Sequence, residues 1–492
     1  MKTKLFFLAL LLSRFSFAQD GITDVTFGTS GRVNYSIFSS FISMKADYNN
    51  KIVALGRNTA GIPILVRFNT DGSLDTTFDT DGVKEIDFGN ANESPASFCI
   101  FDNGTGWGYL VLSSMSGKVA RILDNGSFAP GFGTNGILEY EVNNNFKFAS
   151  VTYDWANYKI LIVRANDVAF SNTGGKIYRL NPNGTFDTTF NGGNPKSFFF
   201  NPSQTVDLNN VSTDENGSIF IHGYKNFAGA YQSFVVKFST TGAQDFGYVL
   251  QVSGSSSYTI PGFFLDDLSN TSYIFGMNTS NKFMVVKKLA SGSLDNSFAN
   301  NGILSLDYPN LYYDNVTSLN KHDYGTNDFK IILAGRSRPA NGESEIVLSR
   351  LNSDGTLDTT FGTSGFASFQ STIVNHTSYV HSAIDYSTGK IYAMGYSSSG
   401  TVSLARYNLS SVLSLPTVKN NTLKIYPNPT TETLNFSEEL KNISVIDITG
   451  RILKSFPGSY SKIDISQLST GNYILKGLHQ NGKEFHAKVV KN

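Results

Sequence analysis

The chain has 492 residues, and its 39 Lys and Arg residues balance its 39 Asp and Glu residues. Only 16% of the residues are charged, whereas 13% are aromatic. This composition excludes a disordered chain or a coiled coil and favours a large buried β core. Because the net charge is zero, nothing attracts a nucleic acid or an anionic membrane surface, and we predict neither as a partner.

The N-terminus has the pattern of a secretory signal. Two lysines precede the apolar run Leu5–Leu12, and a small-x-small pattern ends at Ala18 before Gln19. The run is shorter than the roughly 20 residues of a transmembrane helix, and no later stretch approaches that length. We therefore predict a signal peptide at residues 1–18, cleavage between Ala18 and Gln19, a soluble mature chain and no transmembrane segment. The single cysteine, Cys99, leaves no intramolecular disulfide and is expected to be a buried small side chain.

A short segment recurs along the next 390 or so residues. It occurs as Leu74–Phe78, Phe186–Phe190, Leu294–Phe298 and Leu357–Phe361, and weaker copies also end in phenylalanine. Successive terminal phenylalanines, the repeat anchors, are 51 to 63 residues apart. A solenoid coil uses roughly 20 to 29 residues, whereas a four-stranded propeller blade uses roughly 40 to 50 or slightly more. The period therefore predicts blades, with these anchors: Phe27, Phe78, Phe132, Phe190, Phe246, Phe298 and Phe361.

The two ends of the repeat region complement each other. The first copy has an anchor and a following strand but no preceding strand pair, whereas the last copy, Lys390–Tyr407, has the strand pair without an anchor. If Arg32–Ile37 pairs with the last copy, seven complete blades form and no sheet edge between first and last stays open. The prediction is an all-β, seven-bladed β-propeller over residues 19–409. An open array of seven units is the alternative.

The repeat residues have simple structural interpretations. We expect the anchor phenylalanines to fill the gaps between neighbouring sheets. Asn-x-Asp-Gly at Asn69–Gly72 and Asn352–Gly355 predicts tight turns, because Gly accepts the positive φ that such turns need. A calcium loop is the less favoured alternative, because the copy at Asn181–Gly184 has no carboxylate. No other cofactor is predicted.

The full pattern Asn-x-Asp-Gly-x-Leu-Asp-x-x-Phe-Gly-x-x-Gly, at Asn352–Gly365, resembles the delta-sixty repeat of secreted bacterial proteins. Units of that repeat are similar to β-propeller blades, and the resemblance covers about residues 20–410. The copy at Thr241–Phe246 is degraded, and Asn191–Pro195 replaces the usual Gly-x-x-Gly. The Asp-Thr-Thr triplets also resemble an O-glycosylation sequon of some related bacteria, although repeat register explains them equally well.

No recognisable catalytic motif occurs in the sequence. The closest histidine pair of the propeller, His376 and His381, is five residues apart on a predicted strand, so the two side chains point to opposite faces. We therefore predict no metal site and no catalytic residue, and we expect the acidic pair Asp266-Asp267 in a solvated loop. The other histidines are scattered: His222, His322, His479 and His486.

The composition changes after a predicted linker at residues 410–421. Short strands separated by turn signals predict a small Ig-like β-sandwich, with seven or so strands, at residues 422–492. This region resembles the type A C-terminal sorting domain of the type IX secretion system, and an ordinary Ig-like binding module is the alternative. The matching residues are Tyr426, Pro427, Asn428 and Pro429, then Asp447, Gly450 and Arg451, then Gly471 and Tyr473, then Lys488, Val489, Val490 and Lys491.

This resemblance implies export by Sec, passage through the outer-membrane translocon and proteolytic removal of the sorting domain. The partner that it implies is the type IX secretion machinery, and the location is extracellular or on the outer cell surface. For the propeller, loops rich in Asn, Ser, Tyr and Gly favour a monomeric, non-catalytic binding or adhesion protein with a glycan or surface-protein ligand. A polysaccharide hydrolase or lyase, and a purely architectural protein, are the alternatives.

Overall fold

A computed structural model of the chain describes residues 19–90, 93–102, 106–141, 148–165, 174–200, 205–227, 230–253, 262–266, 269–309, 313–323, 329–338, 344–373, 380–386, 388–396, 401–409, 425–447, 452–478 and 484–492. Contacts divide the chain into two compact units, Met1–Leu413 and Ser414–Asn492. Within the residues described, no helix has both the length and the apolar content to cross a membrane.

The first unit consists of seven antiparallel four-stranded sheets, the blades. Blade 1 contains β2 (Ser40–Ala46), β3 (Ile52–Arg57), β4 (Pro63–Phe68) and β5 (Val83–Glu85). Blade 2 contains β6 (Pro95–Asp102), β7 (Trp107–Ser113), β8 (Lys118–Leu123) and β9 (Ile137–Glu139). Blade 3 contains β10 (Phe148–Asp154), β11 (Lys159–Ala165), β12 (Gly174–Leu180), a 3₁₀ turn (Asn191–Gly193) and β13 (Lys196–Phe199). Blade 4 contains β14 (Thr205–Thr213), β15 (Ile219–Phe227), β16 (Ala230–Phe238) and β17 (Gln244–Ser253).

The remaining blades follow the same order. Blade 5 contains β18 (Gly262–Asp266), β19 (Thr271–Met277), β20 (Phe283–Lys288) and β21 (Ile303–Leu306). Blade 6 contains β22 (Tyr313–Asp323), β23 (Phe329–Arg338), β24 (Ser344–Asn352) and β25 (Phe366–Ile373). Blade 7 contains β26 (Val380–Asp385), β27 (Lys390–Tyr396) and β28 (Val402–Asn408), and its fourth strand is the N-terminal β1 (Arg32–Tyr35).

The ring closes as the sequence predicts, through pairing of the N-terminal strand with the last blade. β1 pairs antiparallel with β28, with Arg32 opposite Ala405 and Tyr35 opposite Val402. The first strand of each blade contacts the first strand of the next, and β26 of blade 7 contacts β2 of blade 1. The seven first strands, which we call the inner strands, therefore surround a central axis, and the seven-bladed β-propeller is closed.

The hydrophobic core is divided among the seven interfaces between blades. Each buried cluster of the propeller combines residues of two adjacent blades, and the cluster between blades 7 and 1 closes the series. Adjacent residues of one strand point into different interfaces: Leu55 packs between blades 1 and 2, whereas Ala54 packs between blades 7 and 1. The nearly continuous apolar strands of the sequence therefore reflect burial on both faces of each sheet.

The second unit is one curled sheet of five strands among its described residues. These are β29 (Ile425–Tyr426), β30 (Thr433–Ile446), β31 (Ile452–Asp464), β32 (Gly471–Leu478) and β33 (Glu484–Lys491). The sheet order is β29-β30-β32-β33, and β31 also pairs with β30. There are fewer strands than the seven or so short ones expected, because β30 and β31 are long and continue through several register shifts. The curled sheet encloses its own core, with Leu434 and Leu475 fully buried.

Candidate functional site

The repeat motif forms an ion-paired connection between blades, shown best in blade 1. Arg67 Nε donates to Asp75 Oδ2 at 2.8 Å, and Arg67 Nη2 donates to Thr77 Oγ1 at 3.2 Å. The guanidinium carbon lies 4.8 Å from the centre of the Phe78 ring. Arg67 Nη1 also donates to the backbone oxygen of Asp124 in blade 2. We name this arrangement of a cation, an aspartate, a hydroxyl and an anchor phenylalanine the interblade clasp.

Four other units form an equivalent clasp. In each, the aspartate bonds to a hydroxyl two residues later, and the cation lies against the anchor ring. In blade 6, Arg350 donates to the carboxylate of Asp20, which takes the place of a backbone oxygen of a following blade. The members are Arg179, Asp187, Thr189 and Phe190; Lys287, Asp295, Ser297 and Phe298; Arg350, Asp358, Thr360 and Phe361; and Arg406, Asp24, Thr26 and Phe27.

Six of the seven anchor phenylalanines are almost fully buried. Their exposed fractions are 0% or 1%, at Phe27, Phe78, Phe132, Phe190, Phe298 and Phe361. The prediction of a core position is wrong for Phe246, which is 79% exposed. Its unit lacks the turn that precedes the other anchors, because β17 begins at Gln244 directly after the tight turn at Gly242. Phe246 therefore lies at the start of an outer strand and points into solvent.

The oxygens of the Asn-x-Asp-Gly segments act within turns. Asp71 Oδ1 accepts hydrogen bonds from the backbone N–H of Ser73 at 2.9 Å and from its hydroxyl at 2.7 Å. Asn183 Oδ1 accepts the same two bonds from Thr185. Across the described residues, no group of three or more His, Cys, Asp or Glu side chains is arranged to hold a metal ion. An aspartate and an asparagine thus fill the same role, which is a turn role.

The described histidines lie on different blades. His222 in blade 4 is fully buried, its Nε2 lies 2.9 Å from Ser233 Oγ, and burial lowers its pKa to about 3. His322 lies in blade 6, and His381 lies in blade 7 with its ring 5.6 Å from the Phe41 ring. His376, His479 and the side chain of His486 lie outside the described residues, so the predicted orientation of His376 against His381 stays a prediction.

An aspartate ends or directly follows each inner strand at one end of the propeller. Each blade is an antiparallel meander, so its first and third turns lie at the same end, which we name the lower face; the second turns lie at the upper face. Asp47, after β2, accepts the backbone N–H groups of Asn49 at 2.8 Å and Lys51 at 2.9 Å. Asp154 and Asp214 accept the equivalent backbone bonds in blades 3 and 4. These aspartates fix the lower turns close to the axis.

Aromatic side chains from three adjacent blades meet on the lower face. Tyr48 follows Asp47 in blade 1, Trp107 begins β7 in blade 2, and Trp155 follows Asp154 in blade 3. The Tyr48 ring centre lies 5.7 Å from Trp107 and 6.2 Å from Trp155, in both cases edge to face. Tyr48 is 55% exposed and Trp155 is 44% exposed. We call these three residues the aromatic cluster, and it contains both tryptophans of the chain.

Further exposed tyrosines extend the aromatic cluster on both sides. Tyr158, in the same turn as Trp155, is 58% exposed, and Tyr386, in the equivalent turn of blade 7, is 59% exposed. The Tyr386 hydroxyl donates to the backbone oxygen of Lys321 in blade 6 at 2.6 Å, which fixes its position. Exposed or half-buried aromatic rings therefore occur at the lower turns of blades 7, 1, 2 and 3.

A buried hydrogen-bond network in the interior of blades 1 and 2 supports the aromatic cluster. The Tyr109 ring lies 5.6 Å from Trp107, and its hydroxyl donates to Asp47 Oδ2 at 2.9 Å. Arg67 of the clasp lies 3.9 Å from the same carboxylate. Burial raises the pKa of Asp47 above its ordinary value, although bonds from Lys51 and Tyr109 oppose that shift. The turn that carries Tyr48 is thus held by the same core that joins blades 1 and 2.

The sequence contains a pattern that corresponds to this surface. An aromatic residue follows the terminal aspartate of an inner strand at Asp47-Tyr48, Asp154-Trp155, Asp323-Tyr324 and Asp385-Tyr386, whereas blade 4 has Asp214-Glu215. Tyr324 lies outside the described residues. The anchors lie at positions that stay constant between repeats, whereas these aromatic residues lie at a position that varies between repeats.

The residues of the predicted signal-cleavage site and of the sorting motif form the following contacts. Ala18 lies outside the described residues, and Gln19 Nε2 donates to the backbone oxygens of Thr360 at 3.2 Å and Gly362 at 2.8 Å. Asn428 Oδ1 accepts the backbone N–H of Val490 at 2.8 Å, and the Tyr473 hydroxyl donates to the Ser469 oxygen at 2.6 Å.

The other sorting residues lie along the same sheet. Tyr426 is 52% exposed, the bonds Tyr426-Pro427 and Asn428-Pro429 are cis, and Asp447 directly follows β30. Gly471 begins β32, and β33 contains Lys488, Val489, Val490 and Lys491. Gly450 and Arg451 are not among the described residues, and nor is the predicted linker.

Comparisons with known proteins agree with both units. Residues 424–492 match the model of the secretion system C-terminal sorting domain. Residues 49–78, 159–190 and 327–361 match the β-propeller domain of unknown function DUF5122. None of the curated proteins compared with the chain matches it.

Solved structures with similar architecture share little sequence with the chain. Prolyl oligopeptidase B from Galerina marginata, bound to a 25mer macrocyclization substrate, is 10% identical with a TM-score of 0.42, over 91% of this chain and 54% of that one. A post-proline cleaving enzyme from Rickettsia typhi is 9% identical with a TM-score of 0.39, over 90% of this chain and 58% of that one. The chain spans little more than half the length of these structures. It is a β-propeller protein with DUF5122 repeats, followed by a C-terminal sorting domain of the type IX secretion system.

Proposed function

We propose that the propeller is a secreted, non-catalytic binding protein that attaches to polysaccharide through the aromatic cluster. The observation that carries this proposal is the meeting of Tyr48, Trp107 and Trp155 on one face, where three separate blades contribute one ring each. Aromatic rings with a polar edge bind ligands that are apolar on one side and hydrogen-bonding on the other. A sugar ring has this character, because its C–H groups and its hydroxyls point in different directions.

The placement of the rings is difficult to explain by folding alone. An indole ring buries a large apolar area in a core, and the interfaces of this propeller bury most of the other large apolar side chains among its described residues. Trp155 instead stays 44% exposed beside the 55% exposed Tyr48. Clustered exposed rings on a rigid support lose little conformational entropy when they bind a ligand.

The sorting domain directs the chain across the outer membrane through the type IX secretion machinery. We further propose that a signal peptidase first cleaves between Ala18 and Gln19, and that the sorting domain is removed within the linker at residues 410–421. The mature propeller then acts outside the cell as a monomer, either attached to the cell surface or released. Adhesion to a polysaccharide matrix is the role that this location and the aromatic cluster support.

Retention on immobilised polysaccharides tests this function, using the chain from Gln19 to Asn492. We expect retention on at least one polysaccharide, unchanged length of the eluted sugar, and loss of most retention in Trp155→Ala and Tyr48→Ala. Phe199→Ala is the matched control, because Phe199 is 66% exposed but ends an outer strand at the upper face. Shortened sugar would establish the hydrolase or lyase alternative, and absence of retention on every polymer would contradict polysaccharide binding.

A further inference from the structure

The inner strands carry one exposed side chain among their described residues, and it is a lysine. Lys45 in β2 is exposed, whereas every other described side chain of β2, β6, β10, β14, β18, β22 and β26 is buried or half-buried. An inner strand is covered on both faces by neighbouring blades and on one edge by its own second strand. Exposure at Lys45 therefore comes from the axial side, where the inner strands surround the centre of the ring.

The groups around Lys45 come from blades on both sides of it. Its Nζ lies 6.0 Å from the centre of the Phe98 ring in blade 2. Its charge also interacts with Cys99 of blade 2 and with His381 of blade 7. Lys45 thus lies where three blades approach the axis, on the same strand that leads to Tyr48.

No carboxylate of the described residues balances the charge of Lys45. Burial raises the pKa of Cys99 to about 12, and burial together with the charge of Lys45 lowers the pKa of His381 to about 4, so both neighbours are neutral near pH 7. Several other lysines of the propeller are paired with a carboxylate; for example, Lys287 lies 2.9 Å from Asp295, and Lys321 lies 2.8 Å from Asp266.

The unbalanced charge has an energetic cost. Desolvation by the surrounding blades lowers the pKa of Lys45 below its ordinary value, which means that the folded protein disfavours the ammonium form. A partly desolvated charge without a counter-ion is unfavourable, and an anion brought in by a ligand offsets that cost. Lys45 is therefore suited to binding a negatively charged group.

We propose that Lys45 binds a carboxylate carried on a sugar ring, so that the ligand of the aromatic cluster is an acidic polysaccharide. This inference rests on the proposed function and adds the charge class of the polymer. Lys45 and Tyr48 are three residues apart, so their Cα atoms are at most about 11 Å apart. A single oligosaccharide can therefore stack on Tyr48 and place a carboxylate at Lys45.

The test compares an oligogalacturonate with the same oligomer after methyl esterification, which removes the charge but keeps the ring. Isothermal titration calorimetry measures the affinity of each oligomer for the chain from Gln19 to Asn492 and for its variants Lys45→Gln and Lys45→Arg. We expect the unsubstituted protein to bind the acid form with about tenfold higher affinity or more. A charge-assisted hydrogen bond supplies a free energy of that size. The preference should disappear in Lys45→Gln and persist in part in Lys45→Arg.

Two controls separate this inference from the proposed function. Trp155→Ala should weaken binding of both oligomers by the same factor, whereas Lys45→Gln should weaken binding of the acid form alone. Thermal unfolding checks that Lys45→Gln folds, and Lys196→Gln controls for the loss of a lysine from an outer strand. Equal affinity for both oligomers, or an unchanged preference in Lys45→Gln, would overturn the role of Lys45. Retention of neutral polymers alone would overturn it too, but would leave polysaccharide binding intact.

Discussion

Two interfaces of the same ring differ sharply in how they are held together. Between blades 1 and 2, Phe78 is fully buried beneath Arg67, which pairs with Asp75 at 2.8 Å. Between blades 4 and 5, the corresponding anchor, Phe246, is 79% exposed and no clasp forms around it. Among the described residues, the first interface buries a cluster of eleven hydrophobic residues, whereas the second buries a cluster of six.

The difference indicates which repeat positions maintain the ring. The described residues also form no clasp at the Phe132 anchor of blade 2, where Ala129 replaces the aspartate. A closed propeller tolerates such interfaces because its other interfaces and the β1–β28 pairing still hold the neighbouring blades. Positions that recur in most units, such as Asp75 and Phe78, therefore belong to the interfaces. Positions that vary between equivalent turns, such as Tyr48 in blade 1 against Glu215 in blade 4, are free to acquire a binding role.

The largest effect is expected from removing an anchor where the clasp is intact. Phe78→Ala should lower the free energy of unfolding by about 3 to 5 kcal/mol, because the fully buried ring leaves a cavity beneath Arg67. Urea unfolding followed by tryptophan fluorescence measures the change. A loss below about 1 kcal/mol would show that the anchors do not hold the interfaces.

Breaking the ion pair of the same clasp should have the next largest effect. Asp75→Ala removes the carboxylate that lies 2.8 Å from the buried Arg67 and leaves only Asp47 at 3.9 Å, so we expect a loss of about 3 kcal/mol in the free energy of unfolding. Replacing both residues, Asp75→Ala with Arg67→Met, should recover part of that loss because the buried guanidinium is removed together with its partner, while Asp47 keeps its bonds from Asn49, Lys51 and Tyr109. Asp71→Ala, in the exposed turn of the same repeat, is the control and should cost much less. Equal losses in the two single variants would contradict the clasp.

Acid should weaken the clasped interfaces in particular. Burial alone raises the pKa of Asp75, but bonds from Thr77 and the charges of Arg67 and Lys51 outweigh it and hold the pKa below the ordinary 3.8. A lowered pKa in the folded state contributes stability that is fully present above pH 3.8 and is lost as the pH falls through the folded value. Stability should therefore fall as the pH drops below about 4.

The buried Asp314 has the opposite effect on the pH dependence of stability and provides a check on this prediction. Burial raises the pKa of Asp314 to about 6, so this residue favours the folded state less as the pH rises from about 4 to 6. Asp314→Asn should remove that decline, whereas Asp75→Asn should flatten the loss of stability below pH 4. Thermal unfolding across pH 2 to 7 measures both, and an acid slope that is unaffected by Asp75→Asn would contradict the assignment.

Much of the fold is readable from the sequence because the repeats encode local geometry. The spacing of the anchors, Gly72 at a positive φ in its tight turn, and the complementary ends of the repeat region predict blades, turns and closure. The degraded copy at Thr241–Phe246 indicates that this repeat differs from the others. Only the structure shows that β17 starts at Gln244 and that Phe246 points outward. A missing turn changes the direction of a side chain, and spacing alone does not record that.

The candidate site is much harder to predict from the sequence. Tyr48, Trp107 and Trp155 lie in three different repeats, and ring curvature rather than sequence distance brings them together. The exposure of Lys45 likewise depends on the arrangement of seven inner strands around one axis. A sequence motif describes one blade, whereas a site at the axis is a property of the closed ring.

The smallest effect is expected at the unclasped interface between blades 4 and 5, and it tests the comparison most directly. Phe246→Ala makes the same chemical change as Phe78→Ala, but the ring is already 79% exposed, so the free energy of unfolding should change by about 0.5 kcal/mol or less. Its removal should also lower self-association, because one exposed phenylalanine ring is lost. Urea unfolding and light scattering measure the two outcomes. A large destabilisation would mean that Phe246 packs between blades 4 and 5 in solution, and the difference between clasped and unclasped interfaces would then disappear.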